Sequence, residues 1–223
     1  MQFRVFDLGL IDFSRARDFQ QEAFSRVKDN EFKAALIFCR HYPVITLGRN
    51  AEECAVLASS DELKAKGISI YEIERGGSVT YHGPGQLVVY PVFNLNYFKK
   101  DVNLFLRSLE VAIIAALAKF SIPANTREGL TGVWVENKKI ASIGIAIRNW
   151  ITYHGLAINV KKDDLANFSL IRPCGMDIMM TAMETELGRH PSFELVKMAV
   201  RESFLNLTNE IGVDYNIKQE TAR

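Results

Sequence analysis

Three strand-like segments, residues 132–136, 139–147 and 152–160, follow one another with only two and then four residues between them. A parallel crossover needs a dozen or more residues, so segments this close are hairpin neighbours in an antiparallel sheet. Within the second, Ala141, Ile143, Ile145 and Ile147 recur at period two. Ile140, Ser142, Gly144 and Ala146 hold the opposite register. Further strands are expected at 3–10, 34–39, 44–47, 68–73 and 87–95. Helices are expected at 14–29, 102–119, 177–187 and 193–210, with a short helical turn at 163–168. Ala16, Phe19, Ala23 and Val27 form the apolar stripe of the first helix, and Phe105, Leu109, Ile113 and Ala116 that of the second. Ser59 followed by Glu62 is a capping-box pattern for one more short helix, stopped by Gly67. Because strands come in clusters and not in a repeating strand–helix alternation, the expected class is α+β (mixed α/β), with helices packed on a largely mixed or antiparallel sheet. A chain of 223 residues suffices for one large core. One domain is expected over 1–215, followed by a polar tail over 216–223.

Charge and cysteines narrow the setting. Twenty-seven Lys and Arg against 26 Asp and Glu leave a formal net charge of +1. That balance gives no long-range pull toward nucleic acid or anionic membrane, so neither is an expected partner. Cys39, Cys54 and Cys174 are too few and too scattered for a disulfide framework. The first residues, MQFRVFDLGLIDF, lack a signal-peptide pattern, and no run approaches a membrane span; a cytoplasmic protein is expected. The cysteines and histidines show no CxxC or HxxxH spacing, so no metal site is expected. Asp163-Asp164 reads as solvated loop charge.

The densest chemical signal is residues 75–86, RGGSVTYHGPGQ, expected as a loop between two strands. It is neither a P-loop nor a GxGxxG fingerprint. Its glycines allow close backbone approach, and Arg75, Thr80, Tyr81, His82 and Gln86 add polar groups. Cys174 lies between Pro173 and Gly175, ahead of the helix expected from about 177. A thiol there would gain thiolate character from the helix dipole and from Arg172. Read alone, it is a small core residue more readily than a nucleophile. Lys139 enters an apolar strand from a turn, with Lys138 facing the other way; turned inward, it would hold its proton less firmly. His82 and His154 are the competing bases of a Cys–His dyad.

The segments HYPVITLGR (41–49), RGGSVTYHGPGQ (75–86), KIASIG (139–144), HGLAINV (154–160) and PCG (173–175), in this order, resemble the octanoyltransferases of protein lipoylation. The resemblance implies the fold shared by the catalytic domains of biotin and lipoate protein ligases. It implies Cys174 as the nucleophile that carries the acyl group and Lys139 as its acid/base partner. It implies three substrate-binding segments: Arg75, Gly76, Gly77, Ser78, Val79, Thr80, Tyr81 and His82; Ser142, Ile143 and Gly144; and Gly155, Leu156 and Ala157. No cofactor is implied. The donor would be octanoyl-acyl carrier protein. The acceptors would be lipoyl domains of 2-oxoacid dehydrogenase complexes and the glycine cleavage H protein. Backbone N–H groups at Gly76–Gly77 or at Cys174–Gly175 are candidate oxyanion donors. The rival readings are an ATP-dependent lipoate–protein ligase and a non-catalytic protein that binds the carrier or the lipoyl domain.

Overall fold

A computed structural model describes residues 2–173, 178–210 and 216–221. In chain order these form β1 (Gln2–Ile11), α1 (Phe13–Lys28), β2 (Ala34–His41), β3 (Val44–Leu47), α2 (Ser60–Ala65), β4 (Ser69–Glu72), β5 (Val79–His82) and β6 (Gln86–Phe93). There follow α3 (Val102–Ala118), β7 (Asn125–Arg127), β8 (Leu130–Val135), β9 (Lys138–Arg148), β10 (Ile151–Asn159), α4 (Met183–Leu187), α5 (Phe193–Glu210) and β11 (Asn216–Thr221).

Among the described residues an eight-stranded sheet runs β11-β1-β2-β6-β10-β9-β8-β7. β1 pairs parallel with both β2 and β11, and the run β2-β6-β10-β9-β8-β7 is antiparallel throughout. Period-two alternation divides the side chains between two cores. Leu36 and Phe38 of β2, Leu87 and Val89 of β6, and Ile158 of β10 pack with Leu109, Ile113 and Val200 of α3 and α5. Ala35, Ile37, Val88, Tyr90 and Ala157 pack with Ala16, Ala23, Phe24 and Val27 of α1. A smaller sheet, β4-β3-β5, lies over a satellite core of Ile45, Leu63, Ile68, Tyr81 and Ile171.

Several expectations shift. The stretch 75–86 is not loop throughout: Val79–His82 is β5, antiparallel to β3. Its Val-Thr-Tyr run is strand-favouring, which outweighs the glycines on either side. Residues 216–221 extend the large sheet on β1, where a free tail was expected. Main-chain pairing at an open edge needs no apolar sequence. The helix expected over 177–187 is only Met183–Leu187. The residues before it run extended beside β9: Lys139 donates its N–H to the Met179 carbonyl (2.8 Å), and Thr181 donates to the Lys139 carbonyl (3.0 Å). The N-cap half of the capping box at Ser59 forms, with Ser59 Oγ accepting the Glu62 N–H at 3.2 Å.

Candidate active site

Between the small sheet and the large one lies a cavity of about 870 Å³. Its walls come from segments far apart in sequence. Arg75, Gly76, Gly77, Ser78, Val79, Thr80 and His82 line one side, with Ser142, Ile143 and Gly144 of β9 and Gly155, Leu156 and Ala157 of β10. Lys139 and Trp134 line it near the β8–β9 turn. Tyr81 does not. Strand alternation sends it into the satellite core, where its hydroxyl donates to Asp164 Oδ1 (3.3 Å) and accepts from Asn167 Nδ2 (2.9 Å).

Two glycines admit the Arg75 loop. A Cβ on Gly144 would lie 2.8 Å from the Gly76 carbonyl oxygen, and one on Gly48 would meet the backbone of Gly77 and lie 2.7 Å from Arg75 Nη1. The loop therefore reaches the floor of the large sheet only because both positions are bare. Gly76 donates its N–H to the Ile145 carbonyl at 2.8 Å, which removes that amide from the candidate oxyanion donors. Arg75, expected to face substrate, turns its guanidinium into the wall. Nε and Nη2 donate to Thr46 Oγ1 at 3.2 and 2.9 Å, Nη2 to the Thr46 carbonyl at 2.6 Å, and Nη1 to the Gly76 carbonyl at 3.1 Å. Burial lowers its pKa to about 10, so it stays cationic near neutrality.

His82 and His154 belong to the wall as well. His82 Nδ1 lies 3.0 Å from Gln86 Oε1, and Gln86 Nε2 donates onward to the Tyr81 carbonyl and to Asn159 Oδ1. His41 is fully buried: Nδ1 faces the Ile11 carbonyl (3.0 Å) and Nε2 the Tyr90 hydroxyl (2.6 Å). His154 sits at φ +56° within β10, its N–H held by Gln20 Oε1 at 3.0 Å, and its Nε2 lies 3.6 Å from Glu74. Desolvation lowers His82 to about 3 and His41 and His154 to about 4. All three are therefore neutral near pH 7. Asp164, read as solvated charge, is buried: it accepts the Gly85 N–H at 2.5 Å, in space that Gly83 and Gly85 leave open. The Gly-Pro-Gly spacing was the available signal; a carboxylate 79 residues away was not.

Lys139 occupies a different setting. Its Nζ lies 5.3 Å from the ring centroid of Trp134, and Arg127 lies 4.9 Å from the same ring. Relative to β8, β9 carries one extra residue between Lys139 and Ala141. A bulge of this kind shifts the side-chain alternation. Lys139 and Ser142, three positions apart, thus both line the cavity.

Cys174 and Gly175 lie outside the described residues; their flanks do not. Ile171, Arg172 and Pro173 line the cavity before the gap, and Ile178, Met179 and Met180 line it after. The first flank is tied down by the Arg172 N–H to the Ala55 carbonyl (2.8 Å), the second by the pairing with Lys139. One expected influence on Cys174 is withdrawn. A helix dipole acts within its first turn, and α4 starts only at Met183.

The fold defines the class. Over 100% of this chain and 90% of theirs, the coordinates superpose on lipoate-protein ligase A bound with ATP, with a TM-score of 0.77 at 17% identity. The biotin protein ligase of Aquifex aeolicus matches more loosely, with a TM-score of 0.54 at 13% identity over 94% of this chain and 72% of that one. The family model for the lipoyl protein ligase A/B catalytic domain matches residues 12–205. Sequence narrows the class. The octanoyltransferase of Thermoanaerobacter pseudethanolicus is 41% identical over 214 residues, covering 95% of this chain and 91% of that protein. Within the lipoyl protein ligase A/B family, the chain belongs to the octanoyltransferases.

Proposed function

We propose that this acyltransferase moves an octanoyl group through a thioester on Cys174, with Lys139 as the proton donor and acceptor. The observation that carries the reading is the shared wall. The chain on both sides of residues 174–177 lines the cavity that Lys139 lines, and the Lys139 backbone is paired with the second flank. The donor is octanoyl-acyl carrier protein. In the first half, the Cys174 thiolate attacks the thioester carbonyl, the intermediate expels the carrier's phosphopantetheine thiolate, and Lys139 protonates it. In the second half, the amine of an acceptor lysine attacks the acyl-enzyme. Lys139 takes up the amine's proton as the Cys174 thiolate leaves, and an amide remains. The acceptors are lipoyl domains of dehydrogenase complexes and the glycine cleavage H protein. A thioester is already activated, so no nucleotide is consumed. The apolar lining from Ile143, Leu156, Val88 and Ile73 suits an eight-carbon chain, and Gly77, Ser78, Thr80 and Ser142 supply polar groups around it.

Intact-protein mass spectrometry after mixing with octanoyl-carrier protein tests this. The parent gains one octanoyl group and Cys174→Ser gains none; equal labelling of the two would refute the assignment. The ligase reading rests on likenesses of 17–18% identity, which establish the fold alone. It predicts strict ATP dependence of amide formation, where the transferase reading predicts none.

A further inference from the structure

Glu110 is the one carboxylate buried in the sheet-facing surface of α3. It sits among Phe105, Leu109, Ala112 and Ile113, and none of it is exposed. A carboxylate in such surroundings is costly unless it is well partnered. Its Oε2 lies 2.6 Å from Arg107 Nη1, one helical turn away. Its Oε1 accepts the backbone N–H of Gly132 at 2.9 Å.

Gly132 is where this network meets the lysine. Its φ is +132°, a conformation that side-chain-bearing residues rarely adopt. A Cβ there would lie 3.0 Å from Lys139 Nζ and 2.8 Å from the Ala141 carbonyl oxygen, and would collide with Lys139 Cε. The lysine side chain thus lies directly over a bare Cα. The peptide carrying that Cα is fixed from behind by Glu110, and the Trp134 ring stands beside the ammonium. We infer that Glu110 is a positioning residue for Lys139: its carboxylate pins the Gly132 peptide, and the pinned glycine is the floor that holds the ammonium in the cavity. This rests on Lys139 being the acid/base group proposed above.

The test is a double-mutant cycle on acyl-enzyme formation and full transfer. Glu110→Leu lowers kcat by about 100-fold, the scale of a misplaced catalytic group. KM for the octanoyl donor stays within about twofold, as expected when the lost interaction operates only in the transition state. Glu110→Gln keeps an acceptor for the Gly132 N–H and recovers most of the lost kcat. In a Lys139→Ala background, Glu110→Leu costs no further rate, because the group it positions is gone. A folded Glu110→Leu with parental kcat, or full additivity with Lys139→Ala, overturns the inference. If Glu110→Leu does not fold, Gly132→Ala takes its place in the cycle: a kcat loss only where Lys139 is present supports the floor, and an equal loss in both backgrounds refutes it. Parental transfer by Lys139→Ala alone would instead sink the acid/base reading itself, so the two failures are distinguishable.

Discussion

The two ends of the cavity are built on opposite plans. At the Arg75 end, buried polar groups satisfy one another: Arg75 on Thr46, His82 on Gln86, Gln86 on Asn159 and Tyr81. At the Lys139 end, a single ammonium lies between a bare glycine and an indole. A group whose hydrogen-bonding capacity is already used inside the wall has little left to offer a reacting carbonyl. Lys139, the acid/base group proposed above, instead lines the cavity itself, over Gly132 and beside Trp134. The conspicuous motif therefore shapes the site, and the inconspicuous lysine is the group proposed to work in it.

The largest effect expected from breaking this contrast is at Lys139. Lys139→Ala should lower the transfer rate by about 10²–10⁴-fold, the range for loss of a general acid/base, while the urea midpoint moves little. A single-turnover assay beside an unfolding curve checks both halves. Equal damage to rate and stability would make Lys139 another wall residue.

Next comes acid. In the unfolded chain the histidines titrate near the ordinary value of about 6.5; folded, His82 is held at about 3 and His41 and His154 at about 4. Above pH 6.5 both states are neutral there and nothing is lost. Below it the unfolded chain binds protons that the folded one refuses, so stability falls as pH drops toward about 4. Each histidine contributes at most about 1.4 kcal/mol per pH unit. Urea midpoints at pH 7.5 and 5.5 measure this; identical midpoints would mean that the three rings are not buried neutral. Gln86→Leu should follow in size. It strands His82 Nδ1, the Tyr81 carbonyl and Asn159 Oδ1 together, and unsatisfied buried groups cost about 1–3 kcal/mol each. Chemical denaturation should show a loss of about 3 kcal/mol, and transfer by the folded fraction should persist.

What could be read from sequence follows the same division. Period-two runs and short turns announced β8, β9 and β10, because local alternation and the lack of room for a crossover both act within one segment. Residues 178–182 misled, since a helix-compatible sequence is held extended by the Lys139 main chain, a partner some 40 residues upstream. β7 was missed because its three residues, Asn125–Arg127, are polar and show no apolar alternation. At the site, the glycines and polar residues of 75–86 were visible, but whether Arg75 would face the substrate or Thr46 was not. That depends on Gly48 and Gly144, which let the loop sink until its guanidinium meets β3. Glu110 and Trp134 gave no signal, because one looks like an exposed helix charge and the other like any core aromatic.

The smallest effect sharpens the contrast most. Thr46→Val swaps a hydroxyl for a methyl of similar size, so the small sheet keeps its packing. Arg75 Nε loses its one hydroxyl partner, and Nη2 keeps only the Thr46 carbonyl. A net hydrogen bond to a charged group is worth about 1.5–3 kcal/mol, and the surviving carbonyl contact should hold the loss near the low end of that range. The guanidinium would then be under-partnered, buried and still positively charged. If Arg75 is only wall, the variant loses about 1–2 kcal/mol in unfolding free energy and keeps its KM for the octanoyl donor. If the released guanidinium instead turns to the ligand, KM falls while stability drops, and the division between the two ends is less strict than their hydrogen bonds imply.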